Sequence, residues 1–408
     1  MAASAGPLVT QEDVVAHPTG ARPIATRVSV LQRALTMLRL GLSMMFFDKA
    51  KLIGTVLGVV FAVVLTNQQL GIGLGLVERN IMFVDHAQAD LWIVPPGTET
   101  LQGGRTVPIS ALFAAQTTPG VAWAEPLLYG GGVVKTPTGG TEAVTLIGTK
   151  YPRYAGGPWN IVAGDVSALG RPDTMTFEDA ERDTLGNLNL GSVREVNGRR
   201  MTVGAFTWGL EPFGPSYAFV DYETGRELMH TQSDQASYVL VGVAPGSNPL
   251  DVKRELEARM GGVKVMSKNE LAGSIRNFVL FKQSLGASIG ASVLFGVIVG
   301  FVIVALSMFS SVLDRLREFG TLKAVGATNG DLAVLLLGQS VAYAWIGSLV
   351  GLFLVTQMAT GMRSAKLTLL FPPALTIGTV VGMTLICIIA STLALLRIRK
   401  VEPAMVFR

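Results

Sequence analysis

Charge is scarce in this sequence. Of 408 residues only 15% are Asp, Glu, Lys or Arg, against 49% hydrophobic and a mean hydropathy of +0.46. That balance is too apolar for an ordinary soluble protein of this length and directs the reading toward a membrane protein. Cysteine is nearly absent: Cys387 stands alone inside an apolar run, which excludes an intrachain disulfide and a cysteine metal cluster. It reads as a small buried hydrophobe. The three histidines, His17, His86 and His230, are far apart and lack ligand spacing such as HExxH, so no metal site is expected. No GxxxxGK followed by Ser or Thr occurs, so the chain has no phosphate-cradling loop, and CxxC is absent as well. No catalytic residue and no cofactor is expected in this chain. Aromatics make up only 7%, and basic residues gather beside apolar runs instead of interleaving with them. The net charge of +4 and pI near 9.2 therefore point to membrane lipid, not nucleic acid.

What is present is a set of long apolar runs. A helix crosses hydrocarbon with about 20 apolar residues, and four charge-free stretches meet that length: 52–77, 283–313, 332–362 and 367–396. Basic residues cluster before the first (Arg27, Arg33, Arg39, Lys49, Lys51), between the second and third (Arg315, Arg317, Lys323), and after the fourth (Arg397, Arg399, Lys400, Arg408). With four spans these segments share one side, so both termini are expected in the cytoplasm and 78–282 outside. Ala87 and Ala89 flank Gln88 in a small-x-small pattern, but Glu78, Arg79 and Asp85 separate it from the first run. An uncleaved anchor is expected there. The fold class is membrane α-helical, four transmembrane helices with a large α+β, β-rich extracytoplasmic domain between helices 1 and 2.

Residues 1–26, with Pro7, Pro18 and Pro23, read as a poorly ordered tail, and 397–408 as a second cytoplasmic tail. In 27–51, Val30, Leu31, Leu35, Leu38 and Met45 alternate with Arg33 and Arg39 at helical spacing. This is either an amphipathic helix on the membrane surface or a cytoplasmic extension of the first span. In the inserted domain, Asp90–Val94, Tyr238–Val243 and Val263–Met266 read as strands, and Leu250–Met260 as a charged helix. Two hairpins are expected, one around Thr136–Gly140 and one at Asn197-Gly198, the strongest short-range hairpin signal. The acidic group Glu178-Asp179 and Glu181-Arg182-Asp183 reads as a solvated face. Trp159, Trp208, Phe213 and Tyr217 either fill the core or line a binding surface.

Small residues recur four apart in the spans: Gly54 and Gly58, Gly286 and Gly290, Gly296 and Gly300, Gly347 and Gly351. Such pairs let backbones approach closely and mark a helix interface, within one chain or between two protomers. The alternative is background glycine, of which there are 47. The spans carry almost no ionisable group, which argues against a proton relay or ion-coupled carrier. After the second span, 314–331 mixes charged and apolar residues at helical spacing, with Phe319, Leu322 and Val325 on the apolar side and Gly326 available as terminator. A short surface helix offering an Arg/Glu/Lys face to a partner fits better than a loop that only anchors the span.

The run Arg317-Glu318-Phe319-Gly320-Thr321-Leu322-Lys323-Ala324-Val325-Gly326-Ala327-Thr328 resembles the coupling-helix signature of FtsX-like, MacB-type (type VII) ABC transporter permeases. The ending Arg399-Lys400-Val401-Glu402-Pro403-Ala404 and the order of one span, outer domain and three spans are similar to that family as well. Asp90–Gly97 and Val196–Arg200 are similar to the DevC-like subfamily. The resemblance implies a permease subunit in the bacterial inner membrane that forms a homodimer and hydrolyses nothing itself. An ABC ATPase subunit would bind ATP and Mg and transmit its motion through the permease, termed mechanotransmission. A periplasmic membrane-fusion protein, an outer-membrane channel and a lipidic or amphiphilic substrate are the further implied partners. Carried over position by position, Arg317, Glu318, Phe319, Leu322, Lys323, Gly326 and Ala327 are the ATPase-coupling residues. Two alternatives within the family's range are a transmembrane regulator of a cell-wall hydrolase and a lipoprotein-releasing permease.

Overall fold

The charge-free runs become helices because only a helix or a closed barrel satisfies every backbone N–H and C=O inside hydrocarbon. The computed structural model describes residues 30–102, 104–212, 214–361 and 369–399. The expectations for 1–26 and 400–408, for Phe213, and for the ends of the spans at 362 and 367–368 lie outside the described residues.

Helix α1 (Val30–Phe47) is followed by α2 (Lys49–His86), which starts where the Asp48 side chain accepts from the Lys51 N–H. The inserted domain then runs β1 (Leu91–Val94), β2 (Val107–Pro108), α3 (Ser110–Gln116), β3 (Val121–Lys135), β4 (Thr141–Thr149), β5 (Ile161–Gly164) and β6 (Thr174–Glu178). It continues with β7 (Val193–Val196), β8 (Arg199–Thr207), β9 (Tyr217–Asp221), α4 (Tyr222–Leu228), β10 (Gln235–Ala236) and β11 (Tyr238–Val243). Then come α5 (Pro249–Arg259), β12 (Lys264–Ser267) and α6 (Lys268–Asn277). A π-helical turn, Phe278–Lys282, leads into α7 (Leu285–Asp314), followed by α8 (Leu316–Ala324), α9 (Asn329–Gly361) and α10 (Pro373–Arg399). Among the described residues, α2, α7, α9 and α10 are the helices long and apolar enough to cross a membrane.

The first predicted span ended at Val77, yet α2 runs on to His86. The reason is a change of surroundings. Val77, Ile81, Phe83 and Val84 bury among Trp92, Leu127, Tyr217 and Leu240 of the inserted domain, so the apolar stripe passes from lipid into a protein core without a break. Phe83 meets Tyr217 and Trp92 edge-on, with ring centroids 5.6 and 6.2 Å apart. Tyr217 and Trp159 thus belong to the core, whereas Trp208 is 44% exposed.

Helix α1 ends before Asp48 and packs on α9. Gln339 Nε2 donates to the Gly41 carbonyl oxygen at 2.8 Å, and a Cβ at Gly41 would stand 2.8 Å from the Leu335 carbonyl oxygen. Met45 is buried in the bundle core, while Leu31, Leu35, Phe46 and Phe47 stay exposed on the remaining faces. An apolar face left after packing on α9 suits lipid contact.

The inserted domain is built on a sheet of order β12-β1-β11-β3-β4-β9-β6-β8-β5, with β7 bridging β3 and β8. Strand β3, 15 residues long, runs through both halves: it pairs β11 over Val121–Leu127 and β4 over Leu128–Lys135. Both expected hairpins form. Lys135 pairs Thr141 across the Thr136–Gly140 turn, and Val196 pairs Arg199 across Asn197-Gly198, where φ is +49° and +85°. Two positive φ values in a two-residue loop are what a type I′ turn demands.

The acidic group does not form a solvated face throughout. Glu178 is fully buried at the end of β6, where it accepts from Thr207 Oγ1 at 2.9 Å, from the Leu210 N–H at 3.3 Å and from the Gly209 N–H. Burial, which disfavours the charged form, pushes its carboxyl up to about 7. Asp179, Glu181 and Arg182 next to it are half-exposed.

Most of the paired glycines serve contacts within the chain. A Cβ at Gly58 would collide with Ile303 of α7, one at Gly300 with Ala62 of α2, and one at Gly296 would touch Leu65 of α2 at 3.0 Å. Gly347 and Gly351 of α9 face Val59 and Val63 of α2 at 2.5 and 2.8 Å. Gly286 abuts the backbone of Leu280, and Gly54 and Gly290 face open space. Glycine therefore sets the α2–α7 and α2–α9 spacing. Gly300→Leu is expected to cost about 1–3 kcal/mol through overpacking, while Gly290→Leu changes little; thermal unfolding of the two variants in detergent checks the difference.

Candidate coupling site

At the end of α7 the chain turns at Arg315 into α8, nine residues from Leu316 to Ala324. A helix this short does not hold itself in water and needs a packed face. Phe319 supplies it. Its side chain is 2% exposed within the bundle core that includes Met45 of α1, Val312 of α7, and Leu332, Leu335 and Leu336 of α9, with Leu316 and Leu322 against the same cluster. Gly320 is buried beside it, and Lys323 is half-buried. On the opposite side Arg317, Glu318, Thr321, Ala324 and Val325 are exposed, Val325 by 87%. The helix thus has one seated face and one free face of mixed charge.

The exit of α8 is a Schellman turn. The Gly326 N–H donates to the Lys323 carbonyl oxygen at 3.0 Å and the Ala327 N–H to the Leu322 carbonyl oxygen at 2.9 Å. Gly326 takes φ +106°, in the left-handed region that a side chain disfavours. The next helix starts at once: the Thr328 N–H donates to Asp331 Oδ2 at 2.7 Å and the Asp331 N–H to Thr328 Oγ1 at 3.2 Å, capping α9.

Contacts of Arg33 and Lys51 that the sequence reading did not find fix this corner. Arg33 of α1 donates to the Gly326 carbonyl oxygen at 2.8 Å and pairs with Asp331 at 2.8 Å. Lys51 at the start of α2 pairs with Asp314 at the end of α7, and with Asp48 at 3.4 Å. Pairs this exposed add little to stability, so their effect is positional: α1, α2, α7, α8 and α9 meet at one corner. No sequence signal joins Arg33 to Gly326, since they are 293 residues apart.

All the sequence-predicted coupling residues, Arg317, Glu318, Phe319, Leu322, Lys323, Gly326 and Ala327, lie in α8 or its exit turn. The structure divides them by position. Phe319 and Leu322 seat the helix, Gly326 and Ala327 end it, and Arg317 and Glu318 stand outward, Glu318 with only a 3.9 Å approach to Arg315. Such a free face can bind a groove on another protein.

Two family models match the chain. Residues 52–259 match the MacB-like periplasmic core domain, which alone covers half of the chain, and residues 290–403 match the FtsX-like permease C-terminal domain. An uncharacterized ABC transporter permease of Mycobacterium tuberculosis is 27% identical over 385 residues, covering 91% of this chain and 99% of the relative. The macrolide export ATP-binding/permease protein MacB of Rhodospirillum rubrum is 26% identical over 348 residues, covering 78% of this chain and 52% of that protein. The chain thus spans about half the length of that MacB. The crystal structure of the periplasmic region of MacB from Actinobacillus actinomycetemcomitans aligns at 15% identity and a TM-score of 0.36, covering 49% of this chain and 98% of that one. With a β-rich domain inserted between the first two of four apolar helices, and both family models matched in that order, the chain belongs to the FtsX-like, MacB-type family of ABC transporter permeases.

Proposed function

We propose that this chain is the permease subunit of an exporter in the bacterial inner membrane, working as a homodimer with both termini in the cytoplasm. A separate ABC ATPase subunit binds ATP and Mg and docks on the free face of α8. The observation that carries this reading is the division of α8 into a seated and a free face, joined through Arg315 to a continuous α7. Motion of the ATPase pushes on Arg317 and Glu318, with half-buried Lys323 at the edge of the contact. Phe319 passes it to the bundle, and α7 carries it 30 residues outward.

Two helices deliver that motion to the periplasmic domain. Helix α2 enters the domain core directly through Ile81, Phe83 and Val84. Helix α7 meets α6 through the π-helical turn and Ser284, whose φ of +59° marks a sharp break. One stiff and one jointed connection suit a domain that tilts as α7 moves, which is mechanotransmission in physical terms. The domain would then drive a lipidic or amphiphilic substrate toward a membrane-fusion protein and an outer-membrane channel. The similarity of Asp90–Gly97 and Val196–Arg200 to DevC-like permeases supports that set of partners.

The test is ATP hydrolysis by the purified complex in lipid. Glu318→Ala and Lys323→Ala are expected to leave the ATPase bound or bindable but to cut its permease-dependent activity by about tenfold or more, the scale of one lost charge-assisted contact. Unchanged activity in the double variant would rule out α8 as the coupling element.

A further inference from the structure

A cavity of about 310 Å³ flanks α2 where that helix leaves the membrane, lined by Gly75, Glu78, Met82, His86, Gly209 and Leu370 among others. This is the size of a small-molecule site. Its height follows from the helix. Lys51 marks the inner membrane surface; at 1.5 Å per residue Gly75 stands about 36 Å further on and Glu78 about 40 Å, just past a hydrocarbon layer of about 30 Å. The Leu370 N–H donates to the Gly71 carbonyl oxygen at 3.2 Å, so the approach to α10 closes the membrane side. Trp208, exposed and adjacent to Gly209, lies at the same level, where indole rings favour the headgroup layer.

The lining separates into an apolar and a charged part. Gly75, Met82 and Leu370 form the apolar wall. Of the ionisable groups, Asp85 is paired with Lys268 at 3.3 Å, and Arg79 is turned inward, donating to the Glu211 carbonyl oxygen at 2.7 Å beside the Glu178 and Glu211 carboxylates. Glu78 is exposed to the cavity and carries no ion pair among the described residues. The cavity therefore offers one carboxylate without an ion pair among the described residues, set beside an apolar wall.

We propose that this cavity is a substrate-collecting site for an amphiphilic amine, the cation held by Glu78 and the apolar body laid along Met82, Gly75 and Leu370. It rests on the export reading and narrows its substrate class. Because α2 continues from this cavity into the core of the periplasmic domain, a molecule held here lies against the helix that moves with that domain.

The test uses the full chain without ATPase, in phosphatidylcholine nanodiscs, titrated with dodecylamine and with dodecanol. Trp159 reports binding, because its ring stacks on His86 of the cavity wall at 4.5 Å and 2°. Saturable dodecylamine binding is expected, weakened about tenfold by Glu78→Gln, with dodecanol binding unaffected by that change. Met82→Trp, which fills the apolar part, is expected to weaken both ligands. Glu78 is exposed, so its replacement leaves folding intact. Equal dodecylamine affinity of wild type and Glu78→Gln would overturn the assignment. So would competition by phosphatidylethanolamine, which would make this a resident-lipid site. Since no ATPase is present, failure here leaves the coupling result untouched, and loss of coupling leaves this binding intact.

Discussion

Phe319→Ala is expected to abolish permease-dependent ATP hydrolysis while the four spans stay folded. Removing a buried Phe typically costs about 3–5 kcal/mol, and Phe319 is the fully buried anchor of a nine-residue helix. Leu316 and Leu322 pack against the same core but are only partly buried, the exposed ion pairs add little, and the helix is too short to persist alone. Its free face would then no longer stand at a fixed angle to α7. Phe319→Leu, which keeps most of the apolar volume, is expected to retain most activity. Thermal unfolding in detergent separates the two ways the experiment can go. A cooperative transition close to wild type together with lost stimulation supports the seat; collapse of the whole bundle would place Phe319 in general stability instead.

The second large effect lies at the other end of the molecule. Arg79 is buried between α2 and the loop after β8, with the Glu211 and Glu178 carboxylates around it. Removing the guanidinium leaves the buried Glu211 carbonyl oxygen without this donor, at about 1–3 kcal/mol, and the neighbouring carboxylates without a nearby positive charge. Arg79→Leu is therefore expected to loosen the periplasmic domain from α2, most severely at alkaline pH. The pH sign follows from Glu178. Burial raises its carboxyl from 4.5 to about 7, so between those values the folded state holds a proton that the unfolded state has lost. Its contribution to stability thus falls as pH rises from about 4.5 to about 7 and is level above. Glu178→Gln removes that dependence. Melting curves of wild type, Glu178→Gln and Arg79→Leu from pH 5 to pH 8 check the prediction, and a wild-type slope that survives in Glu178→Gln would contradict it.

The two halves of the molecule differ in how openly their sequence declares them. The spans are legible because hydrocarbon tolerates almost no charge, so a bare count of charge-free residues finds them. Asn197-Gly198 announces its hairpin because only those residue types accept two positive φ values cheaply. The parallel pairings of β4 with β9 and of β6 with β8 are not legible. They join segments separated by long crossovers, and nothing local specifies a partner. The extension of α2 was missed for the opposite reason: Glu78, Arg79 and Asp85 look like the end of a span, though the helix continues through them into a core.

The candidate coupling site shows the same split. Mixed charge and apolar spacing picked out 314–331, and Phe319 proved to be buried and Glu318 exposed, as an amphipathic helix requires. Arg33 could not be found that way, because a basic residue before a first span reads as a topology signal. Glu178 was misread because its neighbours Asp179, Glu181 and Asp183 suggest a surface, and only the tertiary position of Thr207, Gly209 and Leu210 supplies its donors. Sequence pattern reports a residue's own solvent preference; it does not report which distant groups meet it.

Cross-linking from the free face of α8 tests the central claim most directly. The sole cysteine, Cys387, is fully buried in the bundle, so a single Val325→Cys introduces one accessible thiol. With a short bifunctional reagent in native membranes, Val325→Cys is expected to give an adduct with an ABC ATPase subunit, its yield changing when ATP is added. A cysteine at the buried Gly320 is expected to give none. If Val325→Cys yields no ATPase adduct in membranes that hydrolyse ATP in a permease-dependent manner, α8 is not where the two subunits meet.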